Sequence, residues 1–133
     1  MPEKNTIERA RADLRSGKSP TTAAGEFVRE EMEHIRRGQH GARSPEQAIA
    51  IGLSKARRAG VPLKPPKKGQ AKKSTRKSAK RDYEIGQGRR QPRAPSRKRS
   101  KAVTKALKRE GKSAASRKSL SRHAKSAARS RKR

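Results

Sequence analysis

Residues 44–60 read SPEQAIAIGLSKARRAG and contain the strongest local folding signal in the chain. Ser44 is a favourable N-cap, Pro45 takes the first helical position, and a glutamine stands at the third, as in a capping box. Two arginines near the end suit the helix dipole, and Gly60 suits the terminating turn. The stretch therefore predicts a helix over about residues 45–59.

A second helix is predicted upstream, over about residues 22–37, and would form a hairpin with the first. Apolar side chains recur there at helical spacing and form a narrow stripe, and Gly38 follows as a terminator. Gly52, inside the first helix, either lets this partner approach closely or only weakens its own helix. The side chains expected to pack in the hairpin are Phe27, Val28, Met32, Ile35, Ile49, Leu53 and Ala56.

The chain contains few apolar residues for its length. Leu, Ile, Val and Phe together number 14 of 133 residues, and sequences below roughly a fifth, with a high net charge, fall in the disordered class. Ordering a residue costs roughly 1–2 kcal/mol of backbone entropy, which buried apolar surface has to offset. The composition therefore predicts a mostly α protein with extensive disorder, in which the helical hairpin is only marginally stable.

Charge divides the chain into two halves. Residues 1–63 carry 12 basic and 8 acidic residues, whereas residues 64–133 carry 28 basic and 3 acidic ones. Three prolines near the boundary favour an extended linker. We therefore expect a small helical region over 1–63, a Pro- and Lys-rich disordered linker over 64–99, and a disordered basic tail over 100–133 with short helices over about 101–110 and 114–129.

The formal net charge of +29 predicts a polyanionic partner. Nucleic acid is the expected partner, with duplex DNA favoured over RNA, because spaced Lys and Arg side chains can follow the phosphates and release counterions. A membrane is not expected, since one Phe, one Tyr and no Trp offer few interfacial anchors. No base-reading module is recognisable, so binding should be indifferent to sequence. The residues expected to contact nucleic acid are Lys72, Lys73, Arg76, Lys77, Lys80, Arg81, Arg89, Arg90, Arg97, Lys98, Arg99, Lys101, Lys105, Lys108, Arg109, Arg117, Lys118, Arg122, Lys125 and Arg129.

No catalytic residues, cofactor or metal site is predicted. The chain has no Cys, which excludes disulfides and thiol nucleophiles, and its two Gly-Lys-Ser triplets lack the earlier glycine of a phosphate-binding P-loop. A metal site needs three or four converging ligands. We interpret His34 and His40, with Glu30 and Glu33 nearby, as two solvent histidines at a helix end, and His123 as part of a basic face.

Two resemblances add to this interpretation. The stretch GEFVREEMEHIRRG, residues 25–38, followed by SPEQAIAIGLSKA, residues 44–56, resembles a family of short basic bacterial proteins classed as a domain of unknown function. It covers about residues 20–65 and implies a bacterial source, with no particular chemistry. The basic tail is similar in composition to linker-histone tails and to bacterial histone-like proteins, which condense DNA.

The leading hypothesis is a non-catalytic, nucleoid-associated DNA-binding protein. With no apolar run of a signal peptide or of a membrane span, we expect it in the cytoplasm, on the bacterial nucleoid. The tail would bind phosphates, and residues 20–60 would support a homo-oligomer or a protein partner. Two alternatives stay open: an RNA- or ribosome-associated basic protein, and a protein-binding adaptor whose basic tail only localises it.

Overall fold

The computed structural model describes residues 3–94 and 96–132, and the elements in these ranges are helical. Pairing of extended backbone within the described residues is confined to a single bridge between Lys68 and Ala71. The elements are α1 (Lys4–Arg15), α2 (Pro20–Arg36), α3 (Pro45–Arg58), α4 (Lys73–Gly86), α5 (Arg97–Arg109), a short 3-10 helix (Ser113–Ala115) and α6 (Arg117–Lys132).

The sequence signals at the ends of α3 act as expected. The Ser44 Oγ accepts a hydrogen bond from the Gln47 backbone N–H at 3.2 Å, and the Gln47 side chain accepts one from the Arg43 N–H at 2.8 Å. These two bonds satisfy donors that a helix start otherwise leaves without partners. Gly38 and Gly60 follow α2 and α3 with positive φ angles of 80° and 103°, which glycine adopts at little cost.

The prediction of extensive disorder is wrong. A 14-residue helix, α4, occupies part of the expected disordered linker. Helices α5 (Arg97–Arg109) and α6 (Arg117–Lys132) lie close to the two tail helices expected over about 101–110 and 114–129, within an ordered chain. The expectation failed because it counted only large apolar side chains, whereas the buried apolar residues of this protein are mostly alanines. Those alanines are Ala10, Ala23, Ala24, Ala42, Ala48, Ala56, Ala79, Ala114 and Ala115.

The chain forms two compact units. The first comprises residues 1–30 and 51–93, and the second comprises residues 31–50 and 94–133. Helices α1 and α4 belong to the first unit, α5 and α6 belong to the second, and α2 and α3 contribute residues to each. Of the side chains expected to pack in the hairpin, Phe27, Met32, Ile35 and Ala56 are buried, and Val28, Ile49 and Leu53 are half-buried.

The core of the first unit is built from one aromatic ring and several small side chains. Phe27 is fully buried among alanines of α1, α2 and α3 and Val61, and Ile7, Leu14 and Leu53 pack around this cluster. Gly52 of α3 lies against Val28 of α2, so closely that a Cβ there would stand 2.7 Å from the Val28 Cα. Small residues at the contact therefore let the two helices come close together.

Helix α4 is attached to α3 through polar contacts. The Asp82 carboxylate is buried and accepts hydrogen bonds from the Ser54 Oγ at 2.7 Å and from the Arg58 Nε at 2.8 Å. Gly86, at the end of α4, touches the Arg57 carbonyl oxygen, leaving no room for a side chain. Charge-assisted hydrogen bonds and close backbone contact therefore replace an apolar interface here.

Arg57 is a buried cation that holds the segment after α3. Its guanidinium donates to the carbonyl oxygens of Leu63 at 3.1 Å and of Lys64 at 3.4 Å. Burial lowers the pKa of Arg57, and the negative charge of Asp82 opposes that shift. These bonds place the start of the expected linker in the first unit.

The second unit is held together by small buried side chains and backbone hydrogen bonds. Ala42, Ala114 and Ala115 are among its buried residues. The backbone N–H of Gly41 donates to the Leu107 carbonyl at 2.7 Å, and that of Ala42 donates to the Gly111 carbonyl at 3.2 Å. These bonds attach the end of α5 to the segment after α2. In the described part of the chain, no helix has the length and apolarity needed to cross a lipid bilayer.

We predict opposite effects on stability for two helical glycines. Gly52→Ala should lower the free energy of unfolding by about 1–2 kcal/mol, because overpacking against Val28 outweighs the gain in helix propensity. Gly25→Ala should raise it by about 0.5–1 kcal/mol, because nothing lies within 4 Å of a Cβ at that position. Urea unfolding followed by circular dichroism measures both changes. A Gly52→Ala protein as stable as Gly25→Ala would contradict the close contact of α2 with α3.

Candidate nucleic-acid interface

Helix α5 carries cations along one face. Arg97, Lys101, Lys105 and Lys108 follow one another at intervals of four, four and three residues, which places them on one side of a helix. All four are exposed. The stripe extends over about 16 Å at the rise of an α-helix. Helix α5 contains no acidic residue, so the face has no internal counter-charge.

The start of α5 differs from the expected start. The cap is Ser96, whose Oγ accepts from the Arg99 N–H at 3.4 Å, whereas the sequence predicted a helix from about residue 101. The earlier start adds a helical turn that includes Arg97. An open groove of about 430 Å³ runs along the face, and its walls are Ser100, Lys101, Thr104, Lys105, Lys108 and Arg109.

Helix α6 carries a second stripe of the same kind. Lys118, Arg122, Lys125 and Arg129 recur at intervals of four, three and four residues and are exposed. The opposite side of α6 is half-buried, at Leu120 among other residues. Helix α6 therefore separates a packing side from a cationic side, whereas α5 has no buried residue.

Three cations surround a groove beside the start of α6. Arg36, Lys112 and Arg117 line an open space of about 470 Å³ in the second unit. The Arg36 Nε donates to the Ala115 carbonyl at 3.1 Å, which fixes this side chain beside the groove. The groove also lies next to Ser116, the N-cap of α6, whose Oγ accepts from the Ser119 N–H at 3.1 Å. Cations beside a helix start form a favourable environment for a phosphate group.

Sequence reasoning identified only one of these three cations. Arg117 was expected to bind nucleic acid, whereas Arg36 and Lys112 were not among the expected residues. The local sequence carries no signal for their convergence, since Arg36 and Lys112 lie far apart in the chain. Only the folded second unit brings them together.

The first unit presents its cations on α4 and just after it. Lys73, Lys77, Lys80 and Arg81 are exposed, and Ala79 is buried on the opposite side of the helix. Of the twenty residues expected to contact nucleic acid, eight lie in the first unit and twelve in the second, and only Arg76 is half-buried rather than exposed. The expected residues thus form separate stripes on several helices and do not converge on one point.

His123 has a specific partner rather than only a place on a basic face. Its Nδ1 donates to the Glu46 carboxylate at 2.9 Å, linking α6 to the start of α3. This hydrogen bond lowers the pKa of Glu46. Any stabilisation from the lowered pKa is present above the ordinary pKa of glutamate and disappears as the pH falls through the lowered value.

Three titratable side chains of the second unit form a cluster whose geometry could hold a metal ion. Glu31 is fully buried, His34 is 9% exposed, and His40 is half-buried. One ligand atom from each lies within 4.8 Å of the other two. The interpretation of His34 as a solvent histidine is therefore wrong. The missed signal is the spacing of three residues between Glu31 and His34, which places both on one face of α2.

No protein-family model, curated protein or solved structure matches this chain.

Proposed function

We propose that the protein binds nucleic acid through charge, without catalysis and largely without regard to base sequence, and that its main ligand is duplex DNA. The observation that carries this proposal is the pair of exposed cationic stripes on α5 and α6. No ion pair engages a Lys or Arg of α5, or of α6 over its described side chains from Arg117 to Arg131. These side chains are therefore available to phosphate groups.

The density of charge supports a polyanion rather than a small anion. Each of the two helices contains seven Lys and Arg residues and no Asp or Glu. Duplex DNA carries one charge per roughly 1.7 Å of its axis, so a stripe of about 16 Å meets several phosphates. Each neutralised phosphate releases counterions, which makes the binding favourable and strongly dependent on salt.

The helical form of the stripes favours duplex DNA over duplex RNA. The major groove of B-DNA is about 12 Å wide and admits an α-helix, whereas the major groove of A-form RNA is too narrow and deep for side chains to read. Neither α5 nor α6 contains Asn, Gln, Asp or Glu, the side chains that read adenine and cytosine edges. Binding without base readout suits a nucleoid-associated role in a bacterial cytoplasm.

The test is a salt series of fluorescence-anisotropy titrations with the full chain. The ligands are a duplex DNA, a single-stranded DNA and a structured RNA of matched length. For duplex DNA we expect a steep linear fall of log K with log salt, corresponding to about 8–15 neutralised phosphates. Scrambling the duplex sequence should leave the affinity unchanged within about threefold, because the contacts are made to the backbone.

Each other result has a definite meaning. Equal or tighter binding to the structured RNA would favour an RNA- or ribosome-associated protein. Negligible binding to all three ligands at about 0.15 M salt would contradict the proposal, since so many phosphate contacts should give measurable affinity there. The adaptor alternative would then be tested by stoichiometric protein capture.

A further inference from the structure

We propose that Glu31, His34 and His40 form a binding site for a divalent transition-metal ion of the zinc type. The site lies wholly within the second unit. It is independent of the cationic stripes, and the proposal does not rest on nucleic-acid binding. Its three donors are one carboxylate and two imidazoles, and His2Glu is a recurring protein ligand set for zinc.

The hydrogen bond made by the Nδ1 of His40 orients the Nε2 of the same ring as a metal ligand. The His40 Nδ1 lies 2.9 Å from the Gly41 carbonyl oxygen. A carbonyl oxygen only accepts, so Nδ1 carries the proton of this bond. The other nitrogen, Nε2, is then the lone-pair atom of the neutral ring. A backbone carbonyl that fixes the tautomer in this way is a frequent outer partner of metal-bound histidines.

The His40 Nε2 faces a carboxylate oxygen of Glu31. It lies 3.1 Å from the Glu31 Oε2, and an ionised carboxylate is only an acceptor. Two lone pairs at this distance attract each other only when a positive centre lies between them. That centre is either a proton on Nε2 or a metal ion, and a metal titration distinguishes the two.

His34 approaches the other oxygen of the same carboxylate. Its Nδ1 lies 3.8 Å from the Glu31 Oε1, so the two imidazoles meet one fully buried carboxylate. A second buried carboxylate, that of Glu30, also has an oxygen within 4.8 Å of a ring nitrogen of His34. One divalent ion held by two neutral rings and the carboxylate joins all three side chains without an added proton.

The separations suit first-row metal coordination after a small adjustment. Ligand bonds of about 2.0–2.1 Å in tetrahedral geometry place neighbouring ligand atoms about 3.4 Å apart. The His40 Nε2 lies 3.1 Å from one Glu31 oxygen and the His34 Nδ1 lies 3.8 Å from the other, and one ligand atom from each of the three side chains lies within 4.8 Å of the other two. Three protein ligands leave a fourth position for water. Imidazole donors favour zinc, cobalt, nickel and copper over magnesium and calcium.

The local fold holds the three ligands without help from the metal. Glu31 and His34 are one turn apart on α2, and Gly38, with a φ of 80°, reverses the chain toward His40. The backbone N–H of Gly41 is bonded to the Leu107 carbonyl at 2.7 Å, so the residue after His40 is fixed. A prearranged site of this kind loses little entropy when the metal binds.

The experiment titrates Co²⁺, and then Zn²⁺ in competition, into full-length protein freed of metal by a chelator. We expect visible Co²⁺ absorption that saturates at one ion per chain, displacement by Zn²⁺, and no displacement by a large excess of Mg²⁺. Zn²⁺ should also raise the thermal unfolding midpoint, because it binds only the folded protein. Absence of a saturable Co²⁺ spectrum would overturn the proposal and leave the cluster as a His–Glu ion pair.

Variants identify the ligands. His40→Gln and His34→Gln should each weaken Co²⁺ binding by about 10²-fold or more, whereas the matched control His123→Gln should bind as the wild type does. Equal Co²⁺ affinity in His40→Gln, His34→Gln and His123→Gln would refute this site. Helical circular dichroism shows whether each variant is folded, and if His40→Gln unfolds, His34→Gln and the wild-type spectrum decide. The salt dependence of DNA binding is measured separately, so the two proposals can fail independently.

Discussion

Replacing Lys101, Lys105 and Lys108 together by glutamine is expected to weaken duplex-DNA binding on the order of 10²-fold at about 0.15 M salt. The three side chains are exposed on one face of α5. Each lost phosphate contact lowers the slope of log K against log salt by about 0.9, which corresponds to about 0.7 log units of affinity at this salt. The slope itself should therefore fall by about 2.7, a change that anisotropy titrations over a salt series resolve.

The matched control removes three charges from another exposed surface. Lys4, Arg11 and Arg15 are exposed on α1 and were not expected to contact nucleic acid. Their joint replacement by glutamine lowers the net charge by the same amount. We expect the slope of log K against log salt to change by less than about 0.9, the value for one phosphate contact. An equal loss in the two variants would mean that the protein binds by total charge alone and that the α5 face has no special role.

Local signals were sufficient to predict the helices of the expected hairpin. The Ser44 cap, the glycine terminators and the apolar spacing all act within a few residues, and such short-range effects are visible in a sequence. α2 and α3 accordingly begin and end within about two residues of the predicted ends, the usual uncertainty of helix boundaries. Gly52 also lies against Val28. This is the first of its two interpretations, in which the glycine lets the partner helix approach closely.

The order of the second half could not be predicted from large apolar residues. Asp82 is an acid within a basic segment, but its partners Ser54 and Arg58 lie on α3, and no local pattern connects them. Ala79, Ala114 and Ala115 are buried, although alanine is equally common on helix surfaces. Whether an alanine is buried depends on the neighbour that covers it, and that information is not local.

The candidate sites, like the fold, were predicted from the sequence only in part. Composition alone predicted cations that would meet phosphates, and these cations are mostly exposed. Their grouping depends on the extent of each helix, and the start of α5 at Arg97 adds that residue to its stripe. The convergence of Glu31, His34 and His40 was missed because the nearby carboxylates considered were Glu30 and Glu33. Both Glu30 and Glu31 have a carboxylate oxygen close to His34, as residues three and four apart on a helix do, but it is Glu31 that also reaches His40.

Gly86→Ala is expected to lower the free energy of unfolding by about 3 kcal/mol, since a Cβ there would overlap a backbone atom. The overlapped atom is the Arg57 carbonyl oxygen of α3, and the Gly60 backbone lies beside it at 3.1 Å. Backbone atoms at the end of a packed helix cannot move aside as a flexible side chain would. The thermal midpoint should fall by roughly 10 °C, as measured by circular dichroism.

Gly86→Ala, compared with a control, tests directly whether the chain is folded beyond residue 63. Gly111→Ala, where nothing lies within 4 Å of an added Cβ, should change the midpoint by no more than about 2 °C, as ordinary surface substitutions do. If the second half were a disordered chain, Gly86→Ala would be equally silent, because an alanine in an unfolded segment meets nothing. A large loss of stability in Gly86→Ala alone therefore requires that α4 is folded against α3.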